Sequence, residues 1–258
     1  MNELLLSLRL SWQVVVRNWM VYRKDFLANI SPTLADPALI LASLGMGLSG
    51  FVGQIDGMSY AAFLAPGMIA TTALFTAFFE SSYGFYVRMT FESVFKAMLT
   101  TPIGVKEVVA GEFMWVFVRA ALMGLGVSLV LLALGLLPNP LAILICPFIA
   151  GFLSLPCAAI GLLASSWVRN INQFQTVYSF LIAPIFYLSG VFFPIPSGSF
   201  LSGLVQFSPF YHGVKLIQFT VWGQAQWQAI FWHSGLLAAF TIVLCSLSFP
   251  LISRKLTT

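Results

Sequence analysis

The amino-acid sequence predicts an all-α polytopic membrane protein of six transmembrane helices. An amphipathic N-terminal helix lies in the membrane interface, a further amphipathic helix in a cytoplasmic loop, and a re-entrant helical hairpin on the outer side. Three observations lead there. Hydrophobic residues make up 59% of the chain and charged residues 8%, against roughly 25% charged in soluble domains; mean hydropathy is +0.94. The apolar runs divide into stretches of ~20 residues, enough to cross a ~30 Å hydrocarbon core. The basic residues segregate: Arg9, Arg17, Arg23, Lys24, Arg88, Lys96, Lys106, Arg169, Arg254 and Lys255 fall on one side of the resulting topology and Lys215 on the other. That bias places both termini in the cytoplasm and accounts for the net charge of +4 without a nucleic-acid partner.

Residues 1–25 form the interface helix. Leu5, Leu8, Trp12, Val15, Val16 and Trp19 share one face, and Arg9, Gln13 and Arg17 the other, the pattern of a helix lying in the interface; a snorkelling start to the first span is the alternative. The segment has no basic n-region and does not read as a cleaved signal peptide. The first span covers 30–54. Asp36-Pro37 reads as a helix start, a capping side chain followed by proline at the first helical position, unless the helix begins near Ile30 and kinks. Gly45-Met46-Gly47-Leu48-Ser49-Gly50 is formally GxGxxG, but no strand precedes it. The Gly45/Ser49 and Ser43/Gly47 spacings fit close helix packing instead. A polar turn at Gln54–Ser59 leads to spans at 60–86, 113–137, 141–167 (interrupted by Pro147 and Pro156), 174–193 and 229–252. Between the last two, Pro194 to Gly198 opens two apolar pieces around Ser208-Pro209. Each is too short to cross the core, which predicts a re-entrant hairpin over 199–222; a surface-lying outer loop is the alternative.

The polar island of the chain is Arg88–Glu112, which holds Arg88, Glu92, Lys96, Lys106, Glu107 and Glu112 between nearly uncharged flanks. Phe91, Val94, Phe95, Met98 and Leu99 fall on one helical face, with Glu92, Ser93, Lys96 and Thr100 opposite. Thr101-Pro102 stops that helix, and a second short helix from Gly104 puts Glu107 at its positive end. A solvated linker between two spans is the bland reading.

The chemistry that is missing narrows the function. No GxxxxGK[ST] occurs, so the chain cannot cradle a triphosphate by itself. His212 and His233 are far apart and lack acidic partners, which argues against a catalytic triad or a metal site. Cys146, Cys157 and Cys245 lie inside apolar runs without a CxxC pair, as small core residues would. Glu80 and Arg119, on adjacent spans, are the candidate buried charges and are expected to pair near the cytoplasmic ends. Glu112 is a rival partner, and snorkelling of Arg119 an alternative. Phe75, Phe78, Phe79, Tyr83, Tyr187, Phe192 and Phe193, with Phe207, Phe210 and Tyr211 in the hairpin, are candidates for a path or gate, against ordinary packing.

LADPALILASLGMGLSGFVGQIDGMSYAAFLAPGMIATTALFTAFFE (Leu34–Glu80), with Arg88-Met89, Met98-Leu99, Gly111-Glu112 and LSGVFFPI (Leu188–Ile195), resembles the permease of rhizobial nodulation-factor exporters, an ABC-2 type membrane subunit. The resemblance covers nearly the whole chain. It implies the six-helix fold of type V exporters in a bacterial inner membrane. It also implies a homodimer that binds two copies of a separate ABC ATPase and exports a lipo-oligosaccharide or another lipid-linked glycan. This chain would then be non-catalytic and hold no cofactor, with ATP and Mg on the partner. Phe91 to Gly111 would be the coupling helix that docks into a cleft of the ATPase, through Phe91, Glu92, Phe95, Lys96, Leu99, Thr101, Pro102, Lys106 and Glu107. Gly104 departs from the serine-like cap common there. An exporter of drugs or other amphiphiles with the same architecture stays open. An ion-coupled secondary transporter would need midplane ion sites, and no acidic residue follows Glu112.

Overall fold

The computed structural model describes residues 2–55, 57–196, 198–224 and 226–257. Met1, Asp56 and Ser197, which fall in the expected interface helix and outer turns, lie outside the described residues, as do the side chains of Met46 and Ser49.

Helix α1 (Asn2–Tyr22) passes through one tight turn, Arg23–Asp25, into α2 (Phe26–Ile40) and a widened turn, Leu41–Met46. Glu3–Gly45 is one helical run of 43 residues, about 64 Å long at 1.5 Å per residue, so only part of it can cross a ~30 Å core. Asp36-Pro37 does not start a helix as expected, because Pro32 and Pro37 both lie inside α2. The two prolines leave the carbonyls of Ala28 and Thr33 without their helical N–H donors. Within the same run the hydroxyls of Thr33 and Ser43 bond to Asn29 O and Leu39 O. Gly45 packs closely: a Cβ there would meet Ala61 Cβ at 3.0 Å.

A short α3 (Ser49–Val52) and an antiparallel pair, β1 (Gln54–Ile55) and β2 (Met58–Ser59), form the turn before the next long helix. The Ser59 hydroxyl then accepts from Ala62 N at 3.3 Å and caps α4 (Tyr60–Phe79). Leu64, Met68, Ile69, Ala70 and Phe78 of α4 are fully buried. The helix has no polar stripe because α7 (Val105–Ala133), α8 (Ala142–Trp167) and α12 (Pro209–Trp222) pack around it. Between α4 and α7 come a widened turn at Glu80–Gly84, α5 (Phe85–Thr90) and α6 (Val94–Met98).

Among the described residues five helical runs are long and apolar enough to cross a membrane: Glu3–Gly45, Tyr60–Thr90, Val105–Ala133, Ala142–Trp167 and Trp227–Thr257, the last being α13. The segment expected as a span at 174–193 differs. It consists of α9 (Gln173–Val177), a widened turn and α10 (Ala183–Tyr187), about 22 Å of helix, and the chain leaves the helix from Leu188. Helix α11 (Phe200–Val205) is followed by α12, with Pro209 at the first position of α12 and Gly223 (φ 67°) ending it. At the far end of α13, Lys255 Nζ donates to Ser165 O at 2.6 Å and Val168 O at 3.0 Å, placing a cation on the negative end of α8.

Candidate functional site

Polar chemistry concentrates where α1, α4, α5 and α7 meet. Arg88 Nη1 donates to Glu80 Oε1 and its Nη2 to Glu112 Oε2, both at 2.6 Å. Arg119 Nη1 pairs with Glu80 Oε2. Trp115 Nε1 adds a bond to Glu80 Oε1 at 3.1 Å, and Asn18 Nδ2 one to Glu112 Oε1 at 2.9 Å. Arg17 Nη1 donates to Asn18 Oδ1, and the Arg119 guanidinium lies 5.0 Å from the Tyr22 ring centroid. Glu80 and Glu112 are buried, and two carboxylates against two guanidinium groups cancel. Charges withdrawn from water stay ionised only in such balanced sets.

Local structure explains the register. In a regular helix Glu80 and Arg88 point about 80° apart, and one extra residue of winding brings them within about 20°. The widened Glu80–Gly84 turn supplies it. The expected Glu80/Arg119 contact is therefore part of a larger set, with Arg88 as the bridge. Glu112 is the second acceptor of Arg88 rather than a rival for Arg119, and Arg119 does not snorkel away. Arg88, Trp115, Asn18 and Tyr22 went unnoticed as members; the signal was the i, i+3/4, i+7, i+11 stripe Ser11, Val14, Val15, Asn18 and Tyr22, all buried on α1. Of the apolar stripe expected to face the membrane interface, Leu5, Leu8, Trp12 and Trp19 are exposed, Val16 is half-buried and Val15 is buried. Docking of α1 needs Gly111 on α7: a Cβ there would lie 2.5 Å from Val14 Cβ and 2.7 Å from Ser11 O.

The loop beyond this cluster departs from the single amphipathic helix expected over Phe91–Leu99. Ser93 takes a left-handed conformation (φ 52°) and breaks it. Phe91, past the end of α5, is exposed and meets Tyr86 edge-on, whereas Phe95 on α6 points inward with its ring 4.7 Å from Phe85. Phe95 joins Phe85, Val108, Val109, Leu162, Ile252 and Leu256 in one buried cluster, with Leu99 packed against it. Phe95 therefore belongs to the protein's own core, and the exposed members of the predicted contact set are Phe91, Glu92, Lys96, Thr101, Pro102 and Lys106. The second short helix expected from Gly104 is the first turn of α7. Glu107 folds back over Gly104 and accepts from the Ser7 hydroxyl at 2.7 Å, so it ties α1 to this loop.

The path aromatics divide. Phe210 is fully buried and lines nothing. Tyr187 and Phe192 join a run of rings with Phe75 and Phe186, and Phe192 O accepts from the Tyr60 hydroxyl at 3.1 Å. Phe193 and Phe207 are exposed. His212 and His233, far apart in sequence, touch: their Nδ1 atoms are 2.7 Å apart, and His212 Nε2 lies 2.9 Å from Gln206 O. Tyr211 packs against His233. The contact was invisible because hairpin and last span each read as an independent apolar piece.

Two cavities meet at the charge cluster. One of about 560 Å³ lies between α2 and α4, and one of about 470 Å³ between α1, α2, α5 and α7; Glu80 and Arg119 line both.

Residues 9–222 match the ABC-2 type transporter family. The chain is 34% identical over 249 residues to Nodulation protein J of Rhizobium leguminosarum bv. viciae, covering 96% of this chain and 95% of that one. With Nodulation protein J of Rhizobium meliloti it shares 31% identity over 242 residues, 93% and 91% of the two chains. The inner membrane transport permease YadH of Escherichia coli is 22% identical over 192 residues, 73% and 72% of the two.

Proposed function

The chain belongs to the ABC-2 type transporter family and is a multi-pass permease subunit of an ABC exporter, and from that premise we propose that it forms the path for a lipo-oligosaccharide or another lipid-linked glycan. Such a family implies an ABC ATPase partner. In our reading two ATPase copies bind a homodimer of this chain, both termini face the cytoplasm, and ATP and Mg stay on the partner.

The observation that carries the coupling role is the position of α6. Its outward side, with Lys96 beside Phe91, Glu92 and Thr100-Thr101-Pro102, is exposed, while Phe95 on its inward side is locked to α5, α7 and the end of α13. A partner pushing on that loop moves packed helices as rigid bodies rather than deforming them. The charge cluster then links the same α5 and α7 to α1 and α4.

The deciding experiment is reconstitution of the purified chain with candidate ABC ATPases from the same genome, followed by ATP-dependent movement of a lipid-linked oligosaccharide across proteoliposomes. Flux that needs ATP and both proteins is expected. Normal flux of apolar drugs with none of the glycolipid would move the assignment to a drug exporter, and absence of any ATPase-dependent flux would end the exporter reading of this loop.

A further inference from the structure

The 560 Å³ cavity between α2 and α4 has a composition that helix packing does not call for. From α4 it is lined by Thr71, Thr72, Phe75, Thr76 and Phe79, and from α2 by Asp36 among others. The Thr71 hydroxyl donates to Gly67 O at 2.7 Å, the usual way a helical threonine satisfies itself in an apolar setting. Thr72 does not: the residue is 4% exposed and its hydroxyl has no hydrogen-bond partner. A buried hydroxyl left unpaired costs free energy that folding alone has no reason to spend. Asp36 adds to this. It sits within a helical run apolar enough to enter the membrane, it is exposed on the cavity wall, and among the described residues no side chain pairs with it. The neighbouring Glu80, by contrast, is matched by Arg88 and Arg119. Ionisable groups at membrane depth mark substrate routes more often than structure.

We infer that this groove is a head-group subsite for a neutral, hydroxyl-rich amphiphile, in which sugar hydroxyls donate to Asp36 and exchange hydrogen bonds with Thr72 and Thr76. Phe75 and Phe79 present ring faces to the sugar, and the acyl chain remains in lipid alongside α2. The inference rests on the exporter reading and assigns the residues that would recognise its cargo. A row of hydroxyls suits a ligand that both gives and takes hydrogen bonds. A lipophilic cation would need the carboxylate and apolar walls, and would leave Thr72 unanswered.

The test uses the full chain in lipid nanodiscs and three photoreactive probes that share one diazirine-bearing dodecyl chain and end in maltose, phosphocholine or triphenylphosphonium. The maltoside is expected to label peptides containing residues 32–40 and 71–80 in preference to the other two probes. Thr72→Val, which keeps the shape and removes the hydroxyl, should lower that labelling about fivefold, the worth of roughly one net hydrogen bond. Asp36→Asn should lower it by a similar factor, and Thr72→Ser should restore it. Equal labelling by all three probes, preference for the cation with dependence on Asp36 alone, labelling confined to other peptides, or full labelling of Thr72→Val would each overturn the subsite. Should Thr72→Val fail to fold, Thr76→Val carries the same comparison. ATPase association, which the exporter reading requires and this groove does not, is measured on the same preparations, so the failure of one is distinguishable from the failure of the other.

Discussion

Replacing Arg88 by Met removes the one side chain, among the described residues, that touches both buried carboxylates. Glu80 would keep Arg119 and Trp115, so its charge stays matched. Glu112, 2% exposed, would keep the neutral Asn18 amide and the more distant charge of Arg17, but no direct ion pair. Breaking a buried pair on one side typically costs 3–5 kcal/mol. The Arg88 side chain is 14% exposed, so some solvent reaches the pair and the low end applies, about 3 kcal/mol. For a chain of this size that is roughly 6–12 °C in Tm. Adding Glu112→Met removes the uncompensated charge, and apolar replacement of a whole buried pair is often neutral. The double variant should therefore recover most of the loss, with a coupling of about 2 kcal/mol in the cycle. Thermal unfolding followed by size-exclusion peak height in one detergent reads all four proteins. Additive losses for the two single changes, or an Arg88→Met protein within about 0.5 kcal/mol of the parent, would refute the bridging role.

Four further predictions concern the loop and the segment around His212. Phe95→Ala should cost about 3–5 kcal/mol by opening the cluster around Ile252 and Leu256. Phe91→Ala, at an exposed position, should leave stability within about 0.5 kcal/mol of the parent and weaken ATPase capture instead. Glu92→Lys combined with Lys96→Glu should reduce co-purification of the ATPase while leaving the amount of protein in the membrane unchanged; undiminished co-purification would remove these residues from the docking surface. In α12, burial holds the His212 imidazole below its ordinary value of 6.5. The unfolded chain then binds the proton more readily, and stability should fall as pH drops below about 6.5. His212→Gln, measured by Tm between pH 7.5 and 5, should flatten that fall.

The amphipathic loop shows where sequence reasoning stopped. Periodicity put Phe91 and Phe95 on one face, a valid inference for an unbroken helix. Ser93 at φ 52° separates them, and a left-handed serine is invisible in sequence because its conformation is imposed by the packing on either side. Phe95 could go inward only because the end of α13, about 160 residues away in the chain, supplies Ile252 and Leu256. Thr101-Pro102 and Glu107 were legible because a stop and a helix N-terminus depend on neighbours within one turn. The same division separates Glu80 and Arg119, which scarcity marked as partners, from Arg88, whose reach depends on a widened turn.

What the sequence alone determined was the class of molecule, the polar island and the lack of a GxxxxGK[ST] phosphate-loop motif. Each follows from composition, from runs long enough to meet a bilayer, or from spacing within a single helix. Only the tertiary structure decided which α1 stripe is buried, which residues of the loop stay available, and which charges cancel. It alone decided that His212 meets His233 and that Thr72 is left without a partner. Those outcomes are contacts between helices distant in the chain. Burial and balanced charge are properties of such contacts, and no single stretch of residues carries them.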